Sequence, residues 1–392
     1  MMLDRRRRIA IVAAFVAGLT AGAVGAPNVR AGPGGWNREA AAMYLDERMD
    51  VWFATATKLR AGQSETTCVS CHTVVPYALA RPGLRRAMHV GAPTPQEVRL
   101  LGDVIRRVDT YDAHQPYYDF DEAKKVESRG TEAVLNALIL ASSDTEPERS
   151  EARDSVRRAF RRLWQTQRPD GAWDWLDFGL EPFESADAVY FGATLAALAV
   201  GSASGSFTSQ EPLAASGIDR LRRYLTERYR AQNLFNRAWL LLASTRWKDL
   251  IAPAQREALV AEIRKAQRDD GGWSLWTMGG WRWSTAARPA RPPGTPDTSL
   301  LARSDGYATG MAIYTLRCAG LPAADPGVRA GVQWLKANQQ GIRVGERTHP
   351  AWRSYSLNHD REHGGAKGEP WRRLFMSDAA TAFAVLALLT SD

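Results

Sequence analysis

Cysteine is scarce in this sequence, which has three in 392 residues. Two of them, Cys68 and Cys71, stand together, so no second cysteine pair remains for a structural zinc site. Long apolar runs are also scarce, because only residues 9–24 come near the length of a membrane span. Charge of one sign is not in large excess: the formal net charge is +8, the two signs are interspersed, and no basic arm or nucleic-acid motif is present. We therefore expect no nucleic acid among the partners.

The paired cysteines are followed directly by a histidine, in the stretch TCVSCH at residues 67–72. This is the C-x-x-C-H pattern of covalent haem attachment. Thiols three positions apart can add to the two vinyl groups on one edge of a porphyrin, and His72 is then held under the iron as its axial ligand. A redox disulfide, which needs no histidine, and half of a zinc site are the alternatives. The other histidines considered for zinc are His349, His359 and His363, which lie far downstream without a cysteine motif.

The N-terminus has the layout of a secretory signal peptide. Four arginines at residues 5–8 precede the apolar run, and small residues then offer cleavage after Ala26 or after Ala31. Because Pro27 would directly follow the first site, we favour the second and assign residues 1–31 to the signal. The mature protein is then exported, for example to a periplasm, without a stable membrane span. An uncleaved signal, which would anchor the protein in the membrane, is the alternative.

Two predicted helices flank the haem motif. Residues 38–60 show helical spacing of apolar side chains without proline, and a second helix begins at Thr94. In this order of elements, residues 36–118 resemble a small c-type cytochrome, and we assign them as a haem-binding helical segment. In such cytochromes a methionine or histidine further downstream is the sixth iron ligand, and an iron with an open face is the alternative. The candidates here are Met88, His89 and His114.

From residue 119 onward, helices of two kinds alternate. Residues 151–167 place apolar side chains on one face and arginines on the others, whereas residues 186–200 are apolar or small nearly all round. Residues 133–141, after the charged stretch 122–129, look like the inner half of another pair. The alternation recurs in segments 218–229 with 234–243, 254–267 with 306–319, and 328–338 with 379–389. An outer helix repeatedly followed by an inner one predicts an all-α fold, an α/α toroid over residues 119–392.

The joints between the two layers repeat as well. Residues 167–173 (QRPDGAW) and 267–273 (QRDDGGW) share the pattern Q-x-x-D-G-x-W, and residues 334–339 keep its front half without the Gly-x-Trp. These joints resemble the QW motifs of squalene-hopene cyclases and related terpenoid cyclases, whose α/α toroid they brace. Glycine ends the helix, the glutamine amide can bond free backbone groups, and tryptophan packs over the joint. The resemblance implies the fold of those cyclases rather than their chemistry.

Triterpene cyclisation is not expected, because the D-x-D-D motif with which those cyclases protonate their substrate is missing. The inner segments begin instead near Asp187, Asp305 and Asp378, which fit helix N-caps. The acidic string at residues 119–122 lies at the start of the first pair and not in an inner helix. Zinc-binding prenyltransferases share the toroid, but their Asp-x-Cys ligand pattern is absent around Cys318, which we interpret as a buried free thiol.

Eight of the fourteen tryptophans lie in loops that lead from an outer to an inner helix. Two of these loops, residues 274–303 and 340–376, are long for plain connections. Because all such loops open on one rim of an alternating toroid, we expect the tryptophans at one mouth, bracing the joints and lining an apolar cavity or enclosing the haem. The eight are Trp173, Trp175, Trp273, Trp276, Trp281, Trp283, Trp352 and Trp371. The histidines of the last loop are proton-transfer candidates, a distant haem ligand or plain surface residues.

These predictions combine into an exported monohaem c-type protein. Its expected activity is electron transfer to a redox partner protein through haem c anchored by Cys68 and Cys71 and ligated by His72, with the toroid as a docking or ligand-binding body. A haem-dependent oxidoreductase acting on an apolar, isoprenoid-like small molecule is the second hypothesis. A haem-based sensor or non-catalytic binding module is the third.

Overall fold

The computed structural model describes residues 35–143, 150–203, 212–281, 298–359 and 370–392. The predicted signal peptide at residues 1–31 lies outside these ranges, as do Trp283 and His363. Across the described ranges no helix combines the length and the apolar character that a membrane span requires.

Twelve long helices in the described part of the chain form six consecutive hairpins, each an outer helix followed by an inner one. The outer helices are α1 (Arg38–Thr55), α3 (Pro95–Asp109), α5 (Ser150–Gln165), α7 (Ala214–Arg228), α9 (Pro253–Lys265) and α11 (Pro326–Ala337). The inner helices are α2 (Val74–Ala87), α4 (Glu122–Ser142), α6 (Ala188–Ser202), α8 (Leu234–Arg246), α10 (Gly306–Cys318) and α12 (Phe375–Leu389). Short helical turns cover Tyr229–Ala231, Trp276–Met278, Thr298–Leu301 and Pro370–Leu374.

The inner helices form a closed ring. Each packs against the next along the chain, and α12 packs against α2, so the last hairpin meets the first. Two antiparallel β-hairpins interrupt the helices: β1 (Lys58–Ala61) pairs with β2 (Ser64–Thr67), and β3 (Gln340–Val344) pairs with β4 (Arg347–Ala351). The chain is therefore a mainly helical α/α toroid, as the alternation of amphipathic and apolar segments predicts.

The two predicted kinds of helix differ in burial as expected. Nearly every residue of α6 and of α12 is buried, whereas α5 buries one stripe that includes Phe160 and Leu163. One pairing was wrong: the charged residues 122–129 and the apolar residues 133–141 are a single helix, α4, whose outer partner is α3. Its charged first turns lie toward the rim and its later turns are buried. The change in composition therefore reflects increasing burial along one continuous helix.

The segment with the C-x-x-C-H motif is built into the ring. Helix α2 follows the motif directly and stands between α12 and α4 as an inner helix, while α1 and α3 belong to the outer layer. Residues 36–118 thus supply one complete hairpin of the toroid and the outer half of the next.

The two full QW joints brace neighbouring hairpins through their glutamines. Gln167 Nε2 donates to the carbonyl oxygens of Gly171 and Gly217, both at 3.0 Å, and thereby ties the end of α5 to α7. Gln267 Nε2 makes the equivalent bonds to Gly271 and Gly327, both at 2.8 Å, and ties α9 to α11. Gly171 has φ +99° and a carbonyl oxygen of α7 where a Cβ would lie, so glycine is required at this turn.

The third QW joint closes the ring, and its tryptophan is present after an insertion. Gln339 accepts from the backbone N–H of Asn37, the N-cap of α1, at 2.9 Å and donates to its carbonyl oxygen at 3.2 Å. The hairpin β3–β4 follows, and Trp352 then donates to the carbonyl oxygen of Leu335 at 2.8 Å. The tryptophans at 173 and 273 make the same bond to the preceding outer helix. The Gly-x-Trp that is missing directly after Gln339 in the sequence is thus replaced by Trp352, which follows the inserted hairpin.

Aromatic side chains from four inner helices fill part of the interior of the ring. Trp239 of α8 packs edge-on against Phe191 of α6 and Phe383 of α12, with ring centroids 5.2 and 5.4 Å apart. Tyr307 of α10 contacts Phe383 at 5.3 Å and Phe235 at 6.1 Å. These rings are almost completely buried and contribute large apolar areas to the core.

Candidate functional site

A cleft of about 450 Å³ opens on the rim where the outer-to-inner connections converge. It is lined by residues of the α1–α2, α3–α4, α5–α6 and α11–α12 connections, together with Trp52 at the end of α1 and Phe375 and Met376 at the start of α12. From the connections come Cys68, Ser70, His72, Tyr117, Tyr118, Phe178, Phe183, Glu184, Ser356, Asn358, Arg372 and Arg373, among others. Four of the six outer-to-inner connections therefore meet at one mouth, as predicted for the connections of an alternating toroid.

The C-x-x-C-H peptide forms one wall of this cleft. Strand β2 leads into it, and the indole N–H of Trp52 donates to the carbonyl oxygen of Cys68 at 2.9 Å, which fixes the peptide against α1. Cys68 and His72 line the cleft, whereas Cys71 is buried among core side chains. Both thiols are free and not joined in a disulfide.

Burial controls the ionisation of both thiols. It raises the pKa of Cys68 to about 12; the carboxyl group of Glu184 adds to the increase, and the Arg107 guanidinium opposes it. Burial and the same Glu184 also raise the pKa of Cys71 well above its usual value. Both groups are therefore protonated thiols at neutral pH in the folded chain.

The His72 imidazole is held on two sides by aromatic rings. It stacks on Phe375 with centroids 3.9 Å apart and an interplanar angle of 19°, and the edge of Trp52 meets it at 5.5 Å. Its Nδ1 lies 2.9 Å from Thr73 Oγ1, and the Thr73 hydroxyl donates to Asp378 Oδ2 at 2.7 Å. Because this hydroxyl gives its one hydrogen to a carboxylate, its oxygen accepts from Nδ1–H. Nε2 is then the ring nitrogen that carries the lone pair.

Asp378 is the centre of a buried network around this histidine. It accepts from Arg48 Nε at 2.7 Å and Nη2 at 3.0 Å and from the Tyr44 hydroxyl at 2.9 Å, so α1 is tied to α12. The N-cap predicted at Asp378 was wrong, because the residue lies inside the first turn of α12. The N-cap predicted at Asp305 is confirmed by bonds from two backbone N–H groups of α10. Asp187 holds the N-cap position of α6 without a side-chain cap bond.

None of the three predicted sixth ligands is among the residues that line the cleft beside His72. Met88 and His89 follow the last residue of α2, and a helix of 14 residues separates them from the motif by about 21 Å. His114 is buried, with Nδ1 2.9 Å from the Arg107 carbonyl oxygen and Nε2 3.2 Å from a Glu132 carboxylate oxygen. The methionine among the residues that line the cleft is Met376. Sequence analysis missed it because it opens an apolar inner helix and looks like a core residue.

Two of the three later histidines, His349 and His359, lie within the described residues. His349 lies in β4 with Nε2 2.6 Å from a Glu47 carboxylate oxygen, so it joins the β-hairpin to α1. His359 is exposed, and its backbone N–H donates to Ser356 Oγ on the cleft wall at 3.2 Å. Of the three, His359 is therefore the one beside the cleft among the described residues.

The loop tryptophans brace the fold and do not line the cleft. Trp173, Trp273 and Trp352 belong to the QW joints, while Trp175 donates to the Phe183 carbonyl oxygen and Trp281 to that of Leu275. All five are buried, and none is among the cleft residues. The predicted bracing of the joints is confirmed for Trp173, Trp273 and Trp352, whereas Trp175 and Trp281 do not line this cleft. The aromatic lining comes from Trp52 and from phenylalanines and tyrosines, whose role no motif marked.

Glu184 is a titratable group that sequence analysis did not single out. It lines the cleft at the end of the α5–α6 connection, and burial raises the pKa of its carboxyl group to about 7, with a small opposing effect of Lys124. Its neighbour Glu181 is buried and accepts from the Ser185 hydroxyl at 2.7 Å. A carboxyl group with this pKa can take up or release a proton near neutral pH. An acidic residue in a loop carries no sequence signal for such a role.

The residues of the cleft fit a covalently held haem. Cys68 is a thiol at the wall, Cys71 follows at the spacing of the motif but is buried and is not among the lining residues, and the ordered tautomer leaves His72 Nε2 as a nitrogen that could bind a metal. The largely aromatic lining suits a flat apolar macrocycle, and Arg372 and Arg373 lie where carboxylate groups on such a ligand could reach solvent. The described residues contain no cluster of three His, Cys, Asp or Glu side chains that could hold a bare metal ion.

The fold and the site together define an α/α toroid with a C-x-x-C-H peptide at its mouth. No protein-family model matches the chain, and no curated protein matches it. Among solved structures it is similar to one described as UGL_D88N/dGlcA-Glc-Rha-Glc, with a TM-score of 0.49 and 13% sequence identity. The similarity covers 90% of this chain and 94% of that one. Similarity at this level carries no argument about activity.

Proposed function

We propose that this chain is a c-type haem protein that carries one covalent haem in the rim cleft and transfers single electrons to a partner protein. The observation that supports this best is the setting of His72. It lines the cleft beside Cys68, and its Nδ1–H donates a hydrogen bond to Thr73. Nε2 therefore carries the lone pair with which a metal ion could be bound.

The roles of the residues follow from their positions. Cys68 and Cys71 would form the thioether bonds, His72 would supply a ring nitrogen to the iron, and Met376 would offer a thioether sulfur from the same cleft. The bound group would supply a one-electron couple. Trp52 and Phe375 keep water away from the imidazole by packing on its ring. The protein would be exported, on the evidence of residues 1–31.

The test is covalent haem content after export from a host competent for cytochrome c maturation. We expect the purified protein to keep its Soret band after denaturation and acid extraction, with one haem per chain by pyridine haemochrome. Cys68→Ala and Cys71→Ala should each leave one thioether, and the double variant should retain no pigment. Cys318→Ala is the matched control, because this half-buried cysteine lies on α10 away from the cleft, and it should keep full haem content. Wild-type protein without covalent pigment would refute the proposal.

A haem-dependent oxidoreductase is the second candidate, and Glu184 is the observation that favours it. A proton-exchanging carboxyl group in an aromatic cleft suits redox chemistry on an apolar small molecule better than plain electron transfer. Carbon monoxide binding to the reduced protein separates the two. A ligand-inert, low-spin spectrum supports electron transfer, whereas a carbon monoxide adduct indicates an open coordination position and supports an enzyme or a sensor.

A further inference from the structure

A chain of hydrogen bonds connects His72 to a buried carboxylate on another hairpin. It runs from His72 Nδ1 through the Thr73 hydroxyl to Asp378, which is 1% exposed. Asp378 is paired with Arg48, whose side chain is 3% exposed. Burying such an ion pair is expensive in desolvation, and the first turn of α12 does not use this carboxylate as a cap.

We propose that Asp378 is a positioning residue for the axial histidine. Acting through Thr73, it fixes the His72 tautomer and makes Nε2 more basic, and it thereby lowers the reduction potential of the haem. This inference rests on the proposed function, because it concerns the same site.

Asp378 is held in place from two sides. It accepts two hydrogen bonds from Arg48 and one from Tyr44, which fix the oxygen that faces Thr73. Its charge polarises the Thr73 hydroxyl, and the Thr73 oxygen then becomes a stronger acceptor for Nδ1–H. Partial withdrawal of that proton increases the electron density at Nε2. A more basic axial nitrogen stabilises the oxidised over the reduced iron, so the potential falls.

The comparison with Asp305 shows that this arrangement is not a general requirement of the toroid. Asp305 occupies the start of the preceding inner helix and is also buried. Its carboxylate accepts from the backbone N–H groups of Tyr307, Ala308 and Leu275. The toroid thus uses one such aspartate to cap a helix and the other to reach, through a side chain, the histidine of the C-x-x-C-H peptide.

The decisive variants are Thr73→Val and Thr73→Ser in the haem-loaded full-length protein. Valine has nearly the shape of threonine but no hydroxyl, so it breaks the connection and leaves the Arg48–Asp378 pair in place. We expect Thr73→Val to increase the ratio of reduced to oxidised protein about tenfold at a fixed solution potential. This corresponds to a reduction potential about 59 mV more positive for a one-electron couple. Thr73→Ser keeps the hydroxyl and should stay close to the wild type.

Thr315→Val is the matched control for burial and shape. Thr315 is fully buried in α10, and its hydroxyl oxygen has no hydrogen-bond partner, so its replacement should leave the potential unchanged. An unchanged potential in Thr73→Val, or an equal shift in Thr73→Ser or Thr315→Val, would overturn the proposal. Asp378→Asn should give a shift in the same direction as Thr73→Val; if it fails to fold because Arg48 is left unpaired, the Thr73 pair still decides.

A second measurement keeps this inference distinct from the haem proposal. The full-length double variant Cys68→Ala/Cys71→Ala holds no covalent haem, and ¹⁵N NMR reads the His72 tautomer there directly. We expect the proton on Nδ1, and its loss or a mixture of tautomers after Thr73→Val is added. A proton that stays on Nδ1 in both would refute the role of Thr73 and Asp378. Absence of haem from the wild-type protein would instead refute the proposed function.

Discussion

The carboxyl group of Glu184 lies in the wall of the rim cleft, where the residue is partly buried. Its pKa of about 7 means that the folded chain binds the proton more tightly than the unfolded chain, where the pKa is near 4.5. Below about pH 4.5 the group is protonated in both the folded and the unfolded chain, so it does not lower the free energy of unfolding there. The free energy of unfolding falls as the pH rises from about 4.5 to 7, by at most about 3 kcal/mol, and is flat above.

Glu184→Gln should remove that pH dependence. The neutral amide cannot ionise, so the variant should be more stable than the wild type at pH 8, and the two should converge near pH 4. Urea unfolding of haem-free protein at several pH values measures the difference. Glu122→Gln is the control, since this side chain is 86% exposed and should change little at any pH. A constant difference between Glu184→Gln and wild type across this range would contradict the assignment.

At the residue scale, sequence predicts the parts of the site that are local along the chain. Cys68, Cys71 and His72 form one peptide, so the role proposed for them follows from spacing alone. Asp378 reaches Thr73 across 305 positions, and no local pattern distinguishes its role from the N-cap of Asp305. Met88 and His89 lie away from the motif for a related reason: short distance along the chain does not bring two side chains together when a helix of 14 residues lies between them.

Inner helices α10 and α12 approach each other closely at Gly310. A Cβ at this position would lie 2.5 Å from the backbone nitrogen of Ala384 and 2.6 Å from the carbonyl carbon of Phe383. Because backbone atoms of a packed helix cannot move aside cheaply, Gly310→Ala should destabilise the protein by about 2–3 kcal/mol. Chemical denaturation with far-UV circular dichroism measures the change.

Gly102→Ala is the matched control for that substitution. Gly102 lies in α3 with nothing within 4 Å of an added Cβ. Alanine there should stabilise the protein by about 0.5–1 kcal/mol, since it favours the helix more than glycine does. Destabilisation of both variants to the same extent would show that helix propensity, and not the contact between α10 and α12, determines the result.

The third QW joint should stabilise the contact between the last and the first hairpin, as the other two joints stabilise contacts within the ring. Gln339→Ala removes three hydrogen bonds to Asn37 and Pro350, and we expect a loss of about 1–3 kcal/mol in the free energy of unfolding. Gln96→Ala is the control, because this glutamine makes only exposed bonds to Asp50 and should change stability by less than about 0.5 kcal/mol. Equal effects of the two variants would refute a bracing role for Gln339.

At the element scale, the alternation of apolar and amphipathic segments predicts the order of helices because each layer has its own burial pattern. The pattern misleads where one helix crosses from exposed to buried surroundings, as α4 does between Lys125 and Ala133. The third joint was also hidden, since the inserted β3–β4 hairpin places Trp352 thirteen residues after Gln339, against six in the other two copies.

At the scale of the whole molecule, the haem motif is part of the architecture and not an appendage. Composition changes near residue 119, which suggests a boundary, yet α2 fills the place between α4 and α12 in the inner ring. A closed ring gives no sequence signal, because closure is a contact between the first and last hairpins. Two residues make the contact between these hairpins specific. Asp378 bonds to Arg48 and Thr73 at the rim, and Gln339 bonds to the N-cap of α1.

Residues 119–392, expressed alone, should therefore not fold as a stable unit. Without α2, the faces of α4 and α12 that it covers are exposed, including positions in an apolar helix that is buried nearly all round. Asp378 also loses Arg48, Tyr44 and Thr73 and becomes a buried charge without partners, which costs several kcal/mol. We expect the fragment to aggregate or to bind a hydrophobic dye strongly, whereas residues 32–392 should be monodisperse. A monodisperse fragment that unfolds cooperatively at the same temperature as the longer chain would show that the toroid is complete without the haem segment.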